Sequence, residues 1–317
     1  MSLTSRSARN FLIFISPILF LFGGSSVNPA QQPAAPQTQP AQHPFDETVL
    51  LTATVTDTSG RFVSGLRKSD VTVYSDNVQQ EISIFEPQED VPAAVGIIFD
   101  ISGDIRFLTV ARNDLLRLID ASNKANSYFI IGFDKQGYLL TDWTSDRDAI
   151  VDGLNELALI KNKHGAALYD ACYMGIQKVL QNNQQRHIII LISGTEDTES
   201  TYSFRQKVHD LLKRSNVTIF SVGNIPDYAS GVLERMANES GGVAYLPNTT
   251  AELDEIFESI VVELRSQYLI GFKPVNVIAD GRWHTVKIKA SLPSSINPKI
   301  NLNVRSRGGY FAPSNTH

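Results

Sequence analysis

The sequence predicts a doubly wound α/β domain with a mostly parallel sheet, inserted in a small β-sandwich formed by N- and C-terminal strands. Short, continuous apolar runs lie in the middle of the chain and are typical of strands buried on both faces. Apolar residues at helical spacing occupy the segments between these runs. Near both ends of the chain, apolar and polar residues instead alternate, which indicates half-buried strands.

Residues 46–90 are predicted to form an N-terminal β unit. Within 47–57, Val49, Leu51 and Val55 fall on one face and threonines on the other, which indicates a half-buried strand. Two further strands are predicted at 70–75 and 81–85, with Asp76-Asn77 turning the chain between them.

Residues 92–265 are predicted to form the α/β domain. The predicted strands are 93–100, 127–133, 138–142, 187–193, 217–222 and 243–246. The predicted helices lie around 108–119, at 146–157, 167–181, 202–214 and 229–239, and around 253–264. Strands that alternate with helices in this way indicate a parallel sheet covered on both faces. Gly241-Gly242 is a typical signal for the end of the fifth helix.

Residues 267–313 return to the alternating pattern of strands. Tyr268 to Phe272 is apolar, and alternation follows around Ile288 and Leu302. Three such strands would be marginally stable alone, and the N-terminal strands also need a partner. We therefore expect the two sets to pair into one β-sandwich.

The first 30 residues have the order of a secretory signal peptide. Arg6 and Arg9 precede an apolar run at 11–22, and small residues follow it. Residues 31–45 are rich in Pro, Gln and Ala and predict a linker. We expect a secreted or cell-envelope protein, with no membrane association beyond the signal peptide. The alternative is that the apolar run stays as an uncleaved anchor.

Composition excludes several other classes. The net charge of −5 shows no basic excess and predicts no nucleic-acid partner. Cys172 is the only cysteine, so no disulfide can form within the chain. Its place among inward-facing residues of a predicted helix favours a small core residue over a reactive thiol.

Polar residues follow the first buried strand as Asp100-Ile101-Ser102-Gly103-Asp104. In open α/β sheets, ligands bind at the carboxyl ends of the strands. The segment resembles the Asp-x-Ser-x-Ser loop of von Willebrand factor A domains, where a metal-ion-dependent adhesion site begins. The resemblance continues at His164 to Ala171 (HGAALYDA) and at Leu191 to Asp197 (LISGTED). It implies the same fold and a protein-binding function.

The flanks are similar to one bacterial branch, the VWFA-related family described from acidobacteria. The matching segments are DTSGRFVSG at 57–65, YLIGFKP at 268–274 and RGGYFAP at 307–313. The resemblance therefore extends over residues 47–313 and implies a β unit on both sides of the α/β domain.

The metal site that the resemblance implies is incomplete in this sequence. Asp100 and Ser102 remain, Asp104 replaces the second serine, and Ala166 and Gly194 stand where the family has a threonine and an aspartate. Magnesium is the ion that such oxygen donors would hold. We expect a degenerate site, whose acids are solvated or cap the next helix. The alternative is that Glu196 or Asp197 completes it.

The partner-binding loops are predicted to contain Asp104, His164, Gly165, Glu196 and Asp197, and the partner is expected to be another protein. His164 is expected to be an exposed loop residue, because one imidazole without other ligands makes no transition-metal site.

No catalytic motif accompanies these loops. The sequence has no Gly-x-Ser-x-Gly elbow and no glycine-rich phosphate loop after the first strand. We therefore predict a non-enzymatic binding module. Two alternatives stay open: a structural scaffold of an envelope complex, and a hydrolase with an unrecognised site.

Overall fold

The computed structural model describes residues 48–157, 165–224, 227–275, 279–292 and 300–313. The predicted signal peptide, the linker and His164 lie outside the described residues. The described strands are β1 Val49–Thr56, β2 Val71–Ser75, β3 Val78–Gln80, β4 Ile82–Pro87, β5 Ala93–Asp100, β6 Ser127–Phe133, β7 Gly137–Thr144, β8 Arg186–Ser193, β9 Val217–Gly223, β10 Val243–Tyr245, β11 Gln267–Phe272, β12 Trp283–Ser291, β13 Asn301–Arg305 and β14 Gly309–Phe311. The described α-helices are α1 Ile105–Ala121, α2 Arg147–Glu156, α3 Leu168–Leu180, α4 Tyr202–Arg214, α5 Asp227–Ser240 and α6 Leu253–Ser266.

The central sheet has the strand order β10-β9-β8-β5-β6-β7. Its neighbours are parallel except for β6 and β7, which are antiparallel. Every residue of β5 is buried, as the continuous apolar run predicts for a strand covered on both faces. The predicted α/β fold with a mostly parallel sheet is thus confirmed.

Helices cover both faces of this sheet. Apolar residues of α1, α2 and α6 pack on one face, around Ile97 and Phe99. Apolar residues of α3, α4 and α5 pack on the other face, around Ile98 and Leu191. Alternate residues of β5 therefore contribute to two separate cores, because successive side chains of a strand point to opposite faces.

The strands on either side of the α/β domain form a separate antiparallel sheet. In it β1 pairs with β11 and β13, and β2 pairs with β12. The strand order is β3-β2-β12-β13-β1-β11-β4, with β14 attached to β12. Among the described strands, β3 and β14 were not predicted, because three residues are too few for an alternating pattern to be recognised.

Two arginines, the half-buried Arg186 and the buried Arg307, connect the antiparallel sheet with the α/β domain. Arg186 donates to the carbonyl oxygens of Gln88 and Val91, where the chain enters the domain. It also donates to Leu264 O and Gln267 Oε1, where the chain leaves the domain. From the other side, Arg307 donates to Ser215 O and Leu50 O. Among the described residues, no helix has the length and apolar character needed to cross a bilayer.

Candidate functional site

The candidate site lies where the adjacent parallel strands β5 and β8 end. Phe99 of β5 pairs with Ile192 of β8, so the loops that follow both strands leave the sheet side by side. This adjacency brings Asp100 and Ser102 of the first loop to Gly194 and Thr195 of the second. Because parallel strands share one carboxyl end, two segments about ninety residues apart in sequence meet here.

The Asp100 carboxylate is fully buried and accepts hydrogen bonds at both oxygens. Ser102 donates to Oδ1 from its backbone N at 2.8 Å and from its Oγ at 2.6 Å. Oδ2 accepts from Ser193 Oγ at 3.1 Å, from Gly194 N at 3.1 Å and from Thr195 Oγ1 at 2.6 Å. Several donors of this kind can hold an ionised carboxylate in a buried site without a cationic partner.

The hydroxyls of Ser102 and Thr195 also contact each other at 2.9 Å. Each hydroxyl carries one proton and already lies within donating distance of Asp100. The two hydroxyl protons are therefore shared among three short contacts: Ser102 with Asp100, Thr195 with Asp100, and Ser102 with Thr195. Both hydroxyls thus have partners within the network. The sequence alone did not indicate Thr195 or Ser193 as site residues. The available signal was the run of small and hydroxyl-bearing residues that follows the buried strand.

Asp104 forms the N-cap of α1. Its Oδ1 accepts from the backbone N of Arg106 at 2.7 Å and of Phe107 at 3.3 Å. These two backbone donors hold the pKa of Asp104 below its usual value. The side chain is 52% exposed and lies 3.7 Å from the Arg106 guanidinium. The structure thus places Asp104 in the helix-capping role that the sequence offered as the alternative to metal binding.

The loop before α3 packs against the loop after β8. The buried Ala166 accepts from the backbone N of Thr198 and of Glu199 at 3.0 Å each. Gly165 has a φ of +85°, and a Cβ there would lie 2.5 Å from the Glu199 side chain. The positive φ favours glycine at 165, whereas the exposed Glu199 side chain could move away from a Cβ.

Asp197 is directed away from the Asp100 network. Its Oδ1 accepts from the backbone N of Leu168 at 3.1 Å, at the beginning of α3, and from Ser200 Oγ. Its Oδ2 pairs with Arg205 at 2.8 Å. The side chain is thereby committed to helix capping and an ion pair. Glu196, the other predicted acid of this loop, is exposed.

The described side chains do not fit a magnesium ion at this site. Both oxygens of Asp100 already have donors, and Ala166 and Gly194 carry no side-chain oxygen. Nowhere in the described ranges do three His, Cys, Asp or Glu side chains cluster as metal ligands. Magnesium needs near-octahedral oxygen coordination, which the remaining hydroxyls cannot supply while they bind Asp100.

One acid, histidine and hydroxyl chain occurs among the described residues, at a distance from the strand ends. His209 Nδ1 lies 2.5 Å from Glu239 Oε2, and His209 Nε2 lies 3.5 Å from the Tyr169 hydroxyl. Tyr169 and His209 are both buried, and desolvation raises the pKa of the Tyr169 hydroxyl. A buried phenol with a raised pKa is a poor nucleophile, so these three side chains do not form a hydrolase site.

Cys172 is likewise unsuited to chemistry. It is fully buried in the core under α3, and desolvation raises the pKa of its thiol. A buried, protonated thiol is inert, as predicted for a small core residue.

Residues 95–259 match the von Willebrand factor type A domain. The chain belongs to this family. Von Willebrand factor A domains typically mediate interactions between proteins, and most are non-enzymatic adhesion or scaffold modules. The match includes β5 from residue 95 onward, β8 and the loops that carry Asp100 and Thr195.

Several solved structures with von Willebrand factor A domains are similar to the chain. The PilB minor pilin from Streptococcus sanguinis is 11% identical, with 56% of this chain and 62% of the pilin covered and a TM-score of 0.45. Proximal thread matrix protein 1 from the mussel byssus, with a zinc-occupied metal-ion-dependent adhesion site, is 15% identical. That match covers 55% of this chain and 48% of the mussel protein, with a TM-score of 0.46.

A von Willebrand factor type A protein from Catenulispora acidiphila is 11% identical, with 86% of this chain and 74% of that protein covered and a TM-score of 0.47. The chain spans less than two thirds of the pilin and about half of the mussel protein. No curated protein matches the sequence.

Proposed function

We propose that this protein is an exported, metal-independent module that binds another protein through the loops at the carboxyl ends of β5 and β8. The observation that carries the proposal is the Asp100 carboxylate, whose five hydrogen bonds from the protein join the two loops. The network holds the loop backbone in one conformation, and a preorganised surface loses less entropy when it binds.

Exposed side chains on these loops favour a protein partner. Ile105 and Arg106 begin α1 and are 57% and 88% exposed. Tyr202 begins α4 and is 87% exposed. Aromatic, arginine and large aliphatic residues are the side chains that contribute most to protein interfaces. The proposed surface therefore consists of Asp104, Ile105, Arg106, Glu196 and Tyr202.

The proposal includes a degenerate metal-ion-dependent adhesion site. In support, Ala166 and Gly194 lack ligand atoms, and Asp104 caps α1. The Thr195 hydroxyl donates to Asp100 Oδ2, so this oxygen already has a donor from the protein. The partner is then recognised by shape and hydrogen bonds. It does not have to supply a carboxylate as a ligand to a metal ion.

We also propose that the protein is secreted or held in the cell envelope, and that it belongs to the bacterial VWFA-related branch. The signal-like segment at 1–30 supports export, and the flanking motifs around DTSGRFVSG and YLIGFKP support the branch. In this proposal the α/β domain is an insertion in a β-sandwich. The pairing of β1 with β11 and of β2 with β12 supports the insertion, because strands from both sides of the domain share one sheet.

A capture experiment tests the proposed surface. The full chain is immobilised and incubated with an envelope extract, with and without a chelator, and captured proteins are identified by mass spectrometry. We expect the same partner in both conditions, and its loss when Arg106→Ala and Tyr202→Ala are combined. Arg61→Ala is the matched control, because Arg61 is also an exposed arginine beside one carboxylate, with 83% of its side chain exposed.

The result also separates binding from the scaffold alternative. The network around Asp100 is compatible with both roles, because it leaves neither hydroxyl free, whereas the exposed Arg106 and Tyr202 favour binding. Capture that is unchanged in the double variant would contradict the loop surface and favour the scaffold. Capture that is lost with the chelator would contradict metal independence.

A further inference from the structure

A basic cleft lies between the C-terminal end of α4 and the two flanking strands β1 and β14. Its volume is 320 Å³, and Lys213, Arg214 and Arg307 line it. None of its described lining residues is acidic. Because α4 connects the parallel strands β8 and β9, its last turn lies at the opposite end of the sheet from Asp100. The cleft shares no residue with the candidate site, so the inference is independent of the proposed function.

Arg307 contributes a buried positive charge that no carboxylate of the described residues balances. The side chain is 8% exposed, and within the described ranges it donates to carbonyl oxygens, those of Ser215 at 2.9 Å, Leu50 at 3.0 Å and Lys213 at 3.4 Å. Its Nε is buried and has no hydrogen-bond partner. Burial lowers the pKa of Arg307 to about 10, so the guanidinium stays charged at neutral pH. A buried charge without a counter-ion favours an anion nearby.

The two other cations of the cleft, Arg214 and Lys213, have few acidic partners. The Arg214 guanidinium lies 4.0 Å from the centroid of the Phe311 ring and forms no ion pair with the described residues. Lys213 Nζ lies 4.0 Å from Glu239 Oε1, at the limit of an ion pair, and Glu239 also binds His209 and Arg235. Both cations are therefore available to a ligand in the cleft.

Apolar groups line the same cleft beside the charges. They are contributed by Val49, Phe311, Ala312 and Pro313. A free phosphate would leave these groups without a partner, whereas a carboxylate on an apolar stem would contact both parts. A planar guanidinium also matches the geometry of a carboxylate. We propose that this cleft binds the free C-terminal carboxylate of a peptide whose last residue is apolar.

Calorimetry with three probes tests the ligand class on the full chain. The probes are N-acetyl-Ala-Phe with a free carboxylate, the same dipeptide with a C-terminal amide, and inorganic phosphate. We expect the free acid to bind, and the amide and phosphate to bind at least about tenfold more weakly, because a charge-assisted hydrogen bond is lost or the apolar contact is missing. Backbone amide chemical shifts should change at Phe311 and Ala312.

Substitutions at the rim of the cleft test whether the free acid binds there. Lys213→Gln combined with Arg214→Gln should weaken the free acid at least about tenfold. These rim residues are chosen because replacement of the buried Arg307 would disturb the fold. Lys207→Gln is the matched control. Lys207 also belongs to α4, and its Nζ lies 4.8 Å from the centroid of the Phe204 ring, but Lys207 does not line the cleft. It should change the affinity less than about twofold. Melting temperatures equal to the parent's verify that the variants fold.

Three results would overturn the proposal. The first is no binding of the free acid, or equal binding of the acid and the amide. The second is unchanged affinity in the double variant. The third is tighter binding of phosphate than of the free acid, which would assign the cleft to a different class of anion.

Discussion

Thr195 Oγ1 lies 2.6 Å from Asp100 Oδ2, so a hydroxyl of one loop binds the last residue of the neighbouring strand. The same carboxylate begins the sequence motif that implied a metal site. In this chain its two oxygens instead accept five hydrogen bonds from the protein itself. A cation would have to displace these donors before it could bind.

Asp100→Ala should lower the free energy of unfolding by about 3 kcal/mol, because three hydroxyls and the Gly194 N–H would lose their acceptor. Urea denaturation monitored by circular dichroism measures the change. Glu196→Ala is the control, since this exposed acid in the second loop should cost less than about 0.5 kcal/mol. Equal effects of the two substitutions would refute a structural role for Asp100.

The missing donors can be restored. Ala166→Thr combined with Gly194→Asp should create binding of Mg²⁺ or Mn²⁺, seen as calorimetric heat that the parent lacks. A Cβ at 194 would lie 3.4 Å from Gly103 Cα, an ordinary contact, so the backbone admits the aspartate. Metal binding by the parent chain would contradict the proposed degeneracy, as would a restored variant that folds but binds no ion.

Arg186→Gln should lower the free energy of unfolding by about 3 kcal/mol, because four acceptors at the junction of the domain and the antiparallel sheet lose a charged donor. Burial lowers the pKa of Arg186 to about 10, so the parent is charged at neutral pH. Arg265→Gln is the control, since the structure gives it one exposed bond, to Ala121 O. Chemical denaturation of both variants should show a loss for Arg186 alone.

Gly242, just after the end of α5, and Gly231, within α5, should respond in opposite directions to alanine. A Cβ at Gly242 would lie 1.9 Å from Ile219 O, so Gly242→Ala forces two backbones apart and should cost more than about 3 kcal/mol. A Cβ at Gly231 would meet open space within the helix, so Gly231→Ala should add about 0.5 to 1 kcal/mol. Thermal denaturation compares them, and destabilisation by Gly231→Ala would count against this account.

The stability that Asp104 contributes should depend on pH. Its pKa is lowered in the folded state by the backbone N–H groups of Arg106 and Phe107. The ionised carboxylate therefore stabilises the fold above its unfolded-state pKa of about 4, and the contribution is lost as pH falls through the lower folded-state value.

Asp104→Ala should lower the melting temperature at neutral pH, and the difference from the parent should shrink as the solution is acidified below pH ~4. Asp104→Asn is the control, because asparagine also caps helices but does not titrate. A difference between Asp104→Ala and the parent that stays constant from neutral to acidic pH would refute the capping role.

Much of the fold could be predicted because burial leaves a local pattern. The run AAVGIIFD predicted β5 at 93–100, and the structure has the same bounds. The alternation around Ile288 predicted a half-buried strand, and β12 includes it. By contrast, β4 ends two residues later than predicted, at Pro87, because its pairing with β11 extends it.

The candidate site was predicted only in part. Asp100, Ser102 and the gaps at Ala166 and Gly194 are visible in the sequence, since they depend on residue type at motif positions. The roles of Thr195 and Asp197 are not, because a hydroxyl or carboxylate two to four residues beyond a strand can turn either way. Loop packing directs Thr195 to Asp100 and Asp197 to the start of α3.

The sequence by itself determined the α/β class, the order of its strands and helices along the chain, and the absence of two ligand atoms from the family's metal motif. Those features depend on short-range periodicity and residue type. Only the tertiary structure decided which donors occupy Asp100, where Arg186 binds, and that Lys213 and Arg307 line one cleft. These contacts join residues far apart in sequence, and burial there makes each polar group take whichever partner the packed backbone brings within reach.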